Sequence, residues 1–310
     1  MKFRTEIKIP HYPIPLNYHS KIFGLGSCFV VNIKEKLDFY KFQNKINAFG
    51  TVFNPYSITN IVKRVVKQDF FTEKDLFFHE NLWKSYELHS QFNSIEKDEF
   101  LKNANQKIKE NHTFLKQTNF VIFTFGTAWV YVLKENKKIV SNCHKVPQKH
   151  FDKRLLKIDE IANEISSAIE FIKSINPDIK FLLTISPVRH LKDGFTENQR
   201  SKSRLIEAVH QVVDNEQMFY FPSYEILMDD LRDYRFYNTD LLHPNEQAVE
   251  YIWEKFKDSL IDKTIFPIMQ EVEQINKQLA HRNFQRNQFV EPKLLKKIKI
   301  LQDKLPWVEF

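Results

Sequence analysis

Cysteine is nearly absent from this chain: its 310 residues include only Cys28 and Cys143. Neither lies in a Cys-x-x-Cys or Cys/His spacing, which excludes a disulfide framework and supplies no ligand set for a structural metal. A reducing compartment, the cytoplasm, is the expectation. Glycine is almost as scarce, with 5 residues against 29 phenylalanines, so each glycine is expected where the backbone demands it. Long apolar runs are missing too. The longest nearly apolar stretch, Phe120 to Leu133, is shorter than the roughly 20 residues that span a bilayer. Met1 to Pro10 alternates charged and apolar residues without the apolar core of a signal peptide. Nor is there a block of one charge: 46 Lys plus Arg against 39 Asp plus Glu leave a net +7, dispersed with alternating sign as on solvated helix faces. This argues against nucleic acid or a membrane as partner. Nothing in the sequence calls for a cofactor or a metal.

What is present is enough apolar residue, 42%, for a substantial core. Apolar runs at Ile22 to Gly26, Phe120 to Phe125 and Lys180 to Ile185, with a weaker one at Met218 to Phe221, read as buried strands. Helical spacing lies between them. It is clearest in Ile158, Ile161, Ile165, Ile169 and Ile172, stopped by Asn176-Pro177, and recurs in Phe29/Ile33/Leu37, Ile58/Val62/Val65, Leu101/Ala104/Ile108/Leu115, Leu205/Val209/Val212 and Val249/Ile252/Trp253/Phe256. Strands alternating with helices predict an α/β fold with a mostly parallel sheet covered on both faces. Ligands of such sheets bind beyond the carboxyl ends of the strands. The main domain is expected over residues 1–263, with an insertion near 69–117 that begins with the aromatic- and polar-rich stretch Asp69 to Ser94. Residues 264–310 read as a C-terminal helical extension packed on the same domain, its helices at about Ile268 to Ala280 and Lys293 to Leu301 flanking an Arg/Asn/Gln-rich link at His281 to Gln288.

Two segments about 200 residues apart carry the chemistry. Gly24-Leu25-Gly26-Ser27-Cys28-Phe29 places Ser27 between a glycine turn and a helix start. There it is either a helix N-cap or a nucleophile beside N–H groups that favour a developing oxyanion. Asp240 and His243, three residues apart before a helix, read either as a turn cap with a surface imidazole or as a base with its orienting carboxylate. Cys28 competes as nucleophile, but a free cysteine at a helix start is more often a small buried hydrophobe, and Ser27 is preferred. Three loops could complete a site: Asn47 to Pro55, with Gly50 and Asn54; Gly126-Thr127-Ala128-Trp129; and Ser186 to Gly194, where Arg189 and His190 follow a buried strand.

Taken together these segments resemble the GSCFA family, whose name is the motif Gly26-Ser27-Cys28-Phe29 with Val30 in place of its alanine. The likeness continues through Phe49 to Pro55, Phe125 to Tyr131, Ser186 to Gly194 and Asp240 to Pro244, and His281-Arg282 in the tail looks like a segment of the same family. GSCFA proteins are similar to the SGNH (GDSL-like) hydrolases. The resemblance implies a three-layer α/β/α fold with a flavodoxin-like sheet, and esterase or acyl-transfer chemistry on a small-molecule or glycan substrate. By position it implies Ser27 as nucleophile, His243 as base, Asp240 as its orienter, and the backbone of Ser27 and Gly50 in the oxyanion hole. Arg189, His190 and Trp83 are the expected substrate contacts. At one place the chain departs from the hydrolases: Ala128 stands where they carry the asparagine whose amide serves the oxyanion. Thr127, Asn54 or a residue of the Ser186 loop is the expected substitute, and without one the fold would bind a ligand rather than turn it over. Oligomeric state is not legible.

Overall fold

The apolar runs near residues 22, 120 and 180 form the middle of a parallel sheet in the computed structural model of the chain. It describes the backbone of residues 4–284 and 292–310, and the side chains of these residues except 281–284. The side chains of residues 281–284, His281 and Arg282 among them, and the whole of residues 285–288 therefore lie outside the described residues. β1 (Lys21–Gly26) runs into α1 (Cys28–Phe39), and β2 (Gln43–Ile46) is followed by α2 (Pro55–Lys67). A hairpin of β3 (Phe77–His79) and β4 (Leu82–Lys84) precedes α3 (Lys97–Leu115) and β5 (Phe120–Phe125). Next come β6 (Trp129–Leu133), β7 (Ile139–Val140) and β8 (Phe151–Leu155), an antiparallel sheet with β6 in the middle. α4 (Ile158–Lys173), β9 (Lys180–Ile185), α5 (Phe195–Val212) and β10 (Met218–Phe221) continue the alternation. A short turn, α6 (Ser223–Glu225), passes into a π-helical segment, Ile226–Leu231, ahead of α7 (Glu246–Leu260), α8 (Phe266–Phe284) and α9 (Pro292–Lys304).

The main sheet runs β10-β9-β5-β1-β2 with every pair parallel. Counting only these five strands, the order is 2-1-3-4-5, that of flavodoxin-like folds, and the chain reverses direction across the sheet between β1 and β5. Period-2 alternation divides the strands between two cores. Phe23, Val121, Phe123 and Leu183 pack beneath α2 to α5, while Ile22, Phe120, Ile122 and Leu182 pack beneath α1, α7, α8 and α9. The three layers are thus helices, sheet, helices. α8 and α9 contribute Val272, Ile275, Leu294 and Leu301 to the second core.

Several elements differ from the sequence expectation. β2 is the polar string Gln43-Asn44-Lys45-Ile46, half-exposed at the sheet edge, and gives no apolar run. The expected strand Phe120 to Phe125 is β5, and the rest of the apolar stretch to Leu133 is β6 of a different sheet, a strand not expected from the sequence. α3 buries Phe100, Ala104, Ile108 and Leu115 in the main core, so the part standing apart from the sheet ends before it. Among the described residues no helix is long and apolar enough to cross a membrane.

Candidate active site

Ser27 is set by a close approach of two strands. A Cβ on Gly26 would lie 2.4 Å from the Thr124 carbonyl oxygen, so only glycine lets the end of β1 come this near to β5. The Asn47 side chain clasps the same residue, accepting from the Gly26 N–H at 2.8 Å and donating to its carbonyl at 3.0 Å. Ser27 follows at the N-cap position of α1, with φ −68° and ψ 175°, yet its side chain makes no capping bond. It is fully buried, and its Oγ has no hydrogen-bond partner among the described residues. A hydroxyl left in that condition costs about 1–3 kcal/mol, which capping α1 would have recovered. The cap reading of Ser27 does not fit this geometry.

The second segment is folded onto itself. Asp240 Oδ1 accepts the N–H groups of Leu242 (2.8 Å) and His243 (3.0 Å), and Oδ2 meets His243 Nδ1 at 2.6 Å. These bonds hold the Asp240 carboxyl down to about 2, the backbone donors first, so it is ionised at neutral pH. An ionised Oδ2 requires the proton on Nδ1 and leaves Nε2 as an acceptor in the neutral ring. The pair sits at the surface, each side chain 44% exposed. The Arg189 N–H donates to the Leu242 carbonyl at 3.2 Å, tying this loop to the Ser186 loop.

Both loops open on one cleft of about 510 Å³, lined by Cys28, Phe53, Asn54, Thr127, Arg189, His190 and His243. It lies at the carboxyl ends of β1, β5 and β9, where the strand order reverses. Trp129 and Tyr131 from β6 and Lys153 from β8 form the far wall; the Lys153 ammonium sits 4.9 Å from the Trp129 ring centre and is paired with Asp193. Ser27 does not line the cleft and its Oγ is not bonded to His243, but it sits beside the lining residues Cys28, Phe53 and His190: a methyl placed on Gly126 would be 3.2 Å from Ser27 Cβ, 3.2 Å from His190 Nε2 and 3.3 Å from a Phe53 ring carbon. Burial raises the Cys28 thiol above its ordinary value, with Lys202 only partly opposing, so Cys28 stays a thiol.

Other expected residues fall differently. Asn54 lines the cleft while its Oδ1 caps α2 by accepting from Ser57 N–H at 2.9 Å. Thr127 also lines it, but its hydroxyl is engaged, accepting from Trp129 N–H at 3.0 Å and sharing a 3.1 Å bond with Ser201 Oγ. Arg189 stacks on Tyr237, 4.2 Å from the ring centre, and its Nε donates to that hydroxyl at 3.1 Å. Two expectations are corrected. The N–H groups of Ser27 and Gly50 are already spent, on Thr124 O (3.0 Å) and Asn47 O (2.8 Å). Gly50, at φ +81°, serves a turn packed on His89, whose Cβ would lie 2.2 Å from any side chain there. Trp83 does not line the cleft; it belongs to the β3–β4 hairpin and packs against Phe78 and Lys97.

Sequence reading placed Asn47, Trp129 and Tyr131 in candidate loops without giving them a role, and passed over Lys153 and Lys202. Lys202 had a visible signal, since it precedes Leu205 and Val209 on the apolar stripe of α5. It is fully buried, and its Nζ donates to Gly126 O at 2.8 Å and Ser186 O at 2.7 Å, joining the loops after β5 and β9.

Comparison with known proteins adds the following. No curated protein matches the chain. Among solved structures it is similar to a carbohydrate esterase family 3 protein from Talaromyces cellulolyticus, at 9% identity and a TM-score of 0.38 over 81% of this chain and 99% of that one. It is also similar to an acetyl esterase mutant with acetate ion, at 10% identity and a TM-score of 0.36 over 82% and 99% of the two chains. A third likeness is to an acetyl xylan esterase from the rumen bacterium Butyrivibrio proteoclasticus, at 9% identity and a TM-score of 0.36 over 81% of this chain and 64% of that one. The family model described as GSCFA family matches residues 21–256. That span runs from the start of β1 into the last turns of α7 and includes both the Ser27 elbow and the Asp240–His243 loop: the chain belongs to the GSCFA family.

Proposed function

We propose that this protein is a serine esterase that removes an O-acyl group, acetyl in the first instance, from a carbohydrate-like or other polar substrate. One observation carries the reading: a buried serine hydroxyl with no partner lies beside the cleft that an Asp-oriented imidazole lines. In the reaction His243 Nε2 takes the Ser27 proton as Oγ attacks the ester carbonyl. Collapse of the tetrahedral intermediate then returns that proton to the departing alcohol and leaves an acyl-serine. Water, deprotonated by the same imidazole, then attacks the acyl carbon; the bond to Oγ breaks, the imidazolium returns its proton to Ser27, and the acid leaves. Transfer to a sugar hydroxyl would follow the same steps with a different acceptor.

The walls support a polar, ring-shaped substrate. Trp129 and Tyr131 offer flat apolar faces beside Lys153, Arg189 and Lys192. The volume of the cleft falls within the roughly 300–1,000 Å³ of small-molecule sites. Because Ser27 is fully buried, entry of the acyl group requires a side-chain movement of His190 or Phe53, the two rings closing over Gly126. A cytoplasmic location belongs to the same proposal, supported by two free thiols.

One observation favours a second reading, a ligand-binding protein without turnover: Ala128 offers no side-chain donor, and the nearby N–H groups of Ser27, Gly50, Gly126 and Thr127 are all bonded to carbonyl oxygens. Hydrolysis of p-nitrophenyl acetate separates the two. The esterase reading predicts activity in wild type, most of it kept in Cys28→Ala, and a loss of at least about 1,000-fold in Ser27→Ala and His243→Ala. Equal rates in wild type and Ser27→Ala would favour the binding reading.

A further inference from the structure

The esterase chemistry needs a hydrogen-bond donor for the carbonyl oxygen beside Ser27; the expected backbone N–H groups and the Thr127 hydroxyl are engaged, and Asn54 keeps only its amide N–H free among the described residues while its Oδ1 caps α2. The Ser27 N–H bonds Thr124 O at 3.0 Å and the Gly50 N–H bonds Asn47 O at 2.8 Å. Gly126 and Thr127 both donate to Phe53 O, at 2.7 and 2.9 Å. Ala128 spends its own N–H on Ser201 Oγ at 2.7 Å and has no polar side chain.

One side-chain nitrogen is buried beside Ser27. His190 Nε2 is buried and has no partner among the described residues, like Ser27 Oγ. Nε2 and the Ser27 Cβ flank one point, the missing Cβ of Gly126, at 3.2 Å each. The backbone of His190 is anchored and one face of its ring is packed. The His190 backbone N–H donates to Asn198 Oδ1 at 2.9 Å, and the imidazole packs edge-on against Phe53 with centroids 5.7 Å apart and planes at 78°. We infer that His190 Nε2–H is the side-chain oxyanion donor of this site, taking the part that an asparagine at position 128 would have played.

This inference rests on the esterase reading and gives its departure at Ala128 a chemical resolution. Burial, with Lys202 adding to it, pulls the His190 imidazole down to about 3. The ring is neutral at working pH and has a single N–H. A neutral imidazole donating to a developing oxyanion is established chemistry in triosephosphate isomerase, where a helix N-terminus depresses the histidine; here burial and a buried amine do so. No proton leaves Nε2 during the reaction. The N–H···O contact shortens and strengthens as the carbonyl π pair becomes oxygen charge, then relaxes when the intermediate collapses. The same ring covers Ser27 in the unliganded form, so the nearest donor is already at the mouth through which the carbonyl enters.

Replacement by a ring without a donor and by an amide isolates the role. Wild type, His190→Ala, His190→Phe, His190→Asn and His190→Gln are each assayed on p-nitrophenyl acetate for kcat and KM. Each is also labelled to completion with a fluorophosphonate, with the adduct mapped to Ser27. A donor role predicts that Ala and Phe lose about 100- to 1,000-fold in kcat with KM changed by less than about threefold, and that Asn or Gln recovers at least tenfold over Ala. All variants would still be labelled on Ser27. Full kcat in His190→Phe, with Ser27 labelled, would overturn the donor role and leave the esterase reading standing. Equal loss in Phe, Asn and Gln, with Ser27 labelled, would also overturn it, since a proton acceptor or a packing residue is not rescued by an amide. A wild type neither labelled nor hydrolytic would overturn the esterase reading and the donor role together.

Discussion

Lys202 shows how much of this site depends on a residue that never faces the cleft. A neutral amine has two N–H donors, and the two carbonyls it meets, of Gly126 and Ser186, satisfy both. Burial pulls the group down to about 7. The unfolded chain keeps this proton to about pH 10.5, whereas the folded chain releases it near 7. Between those values the unfolded state binds more protons, so stability from this group rises with pH; below pH 7 both states are charged and the penalty is constant. Compared with Lys202→Met, wild type should therefore gain on the order of 2 kcal/mol between pH 7 and pH 9. Paired urea denaturation at the two pH values measures this, and a stability difference independent of pH would show that the folded amine stays charged. The Asp240–His243 bond was legible in the sequence because a three-residue spacing before a helix lets the carboxylate fold back onto the ring. Asn47 and Lys202 were not, since a loop asparagine and a lysine gain meaning only from the backbone atoms they meet.

At the scale of elements, the elbow from β1 to α1 depends on the side chain of Asn47. Its amide bonds both the N–H and the carbonyl of Gly26, while its own N–H bonds Gly24 O at 2.8 Å. Asn47→Ala removes two side-chain bonds and leaves the buried Gly26 groups without those partners. The expected cost is about 1–3 kcal/mol, with kcat falling more than KM as Ser27 loses its placement. Denaturant titration and steady-state kinetics on one preparation check both parts; a destabilised variant with unchanged kcat would remove Asn47 from the account of the site. Strand legibility follows the same physics. β5 and β9 are buried on both faces and read as continuous apolar runs, whereas β2, at an edge, and β8, Phe151-Asp152-Lys153-Arg154-Leu155 with three exposed central residues, do not. The wall carrying Trp129, Tyr131 and Lys153 belongs to that less legible sheet, which is why Trp83 looked the better aromatic contact.

Across the whole molecule the second core joins α1, which begins beside Ser27, to helices nearly 250 residues later. Phe29, Ile33 and Trp253 share that core with Val272, Ile275, Leu294 and Leu301. A chain ending at residue 263 would expose this apolar face, each large side chain contributing roughly 1.5–3 kcal/mol of burial, against a total stability of about 5–15 kcal/mol. Such a truncation is expected to yield aggregated protein without cooperative unfolding, as read by size-exclusion chromatography and thermal melting. A soluble, cooperatively melting product would make residues 264–310 an accessory.

The whole account turns on Ser27 as the group that becomes acylated. Incubating wild-type protein with a fluorophosphonate, digesting it and locating the adduct by mass spectrometry tests that claim most directly. The account predicts one adduct on Ser27, absent from Ser27→Ala, present in Cys28→Ala and slowed at least about 100-fold in His243→Ala. An adduct elsewhere, or wild-type protein that stays unmodified, would contradict it.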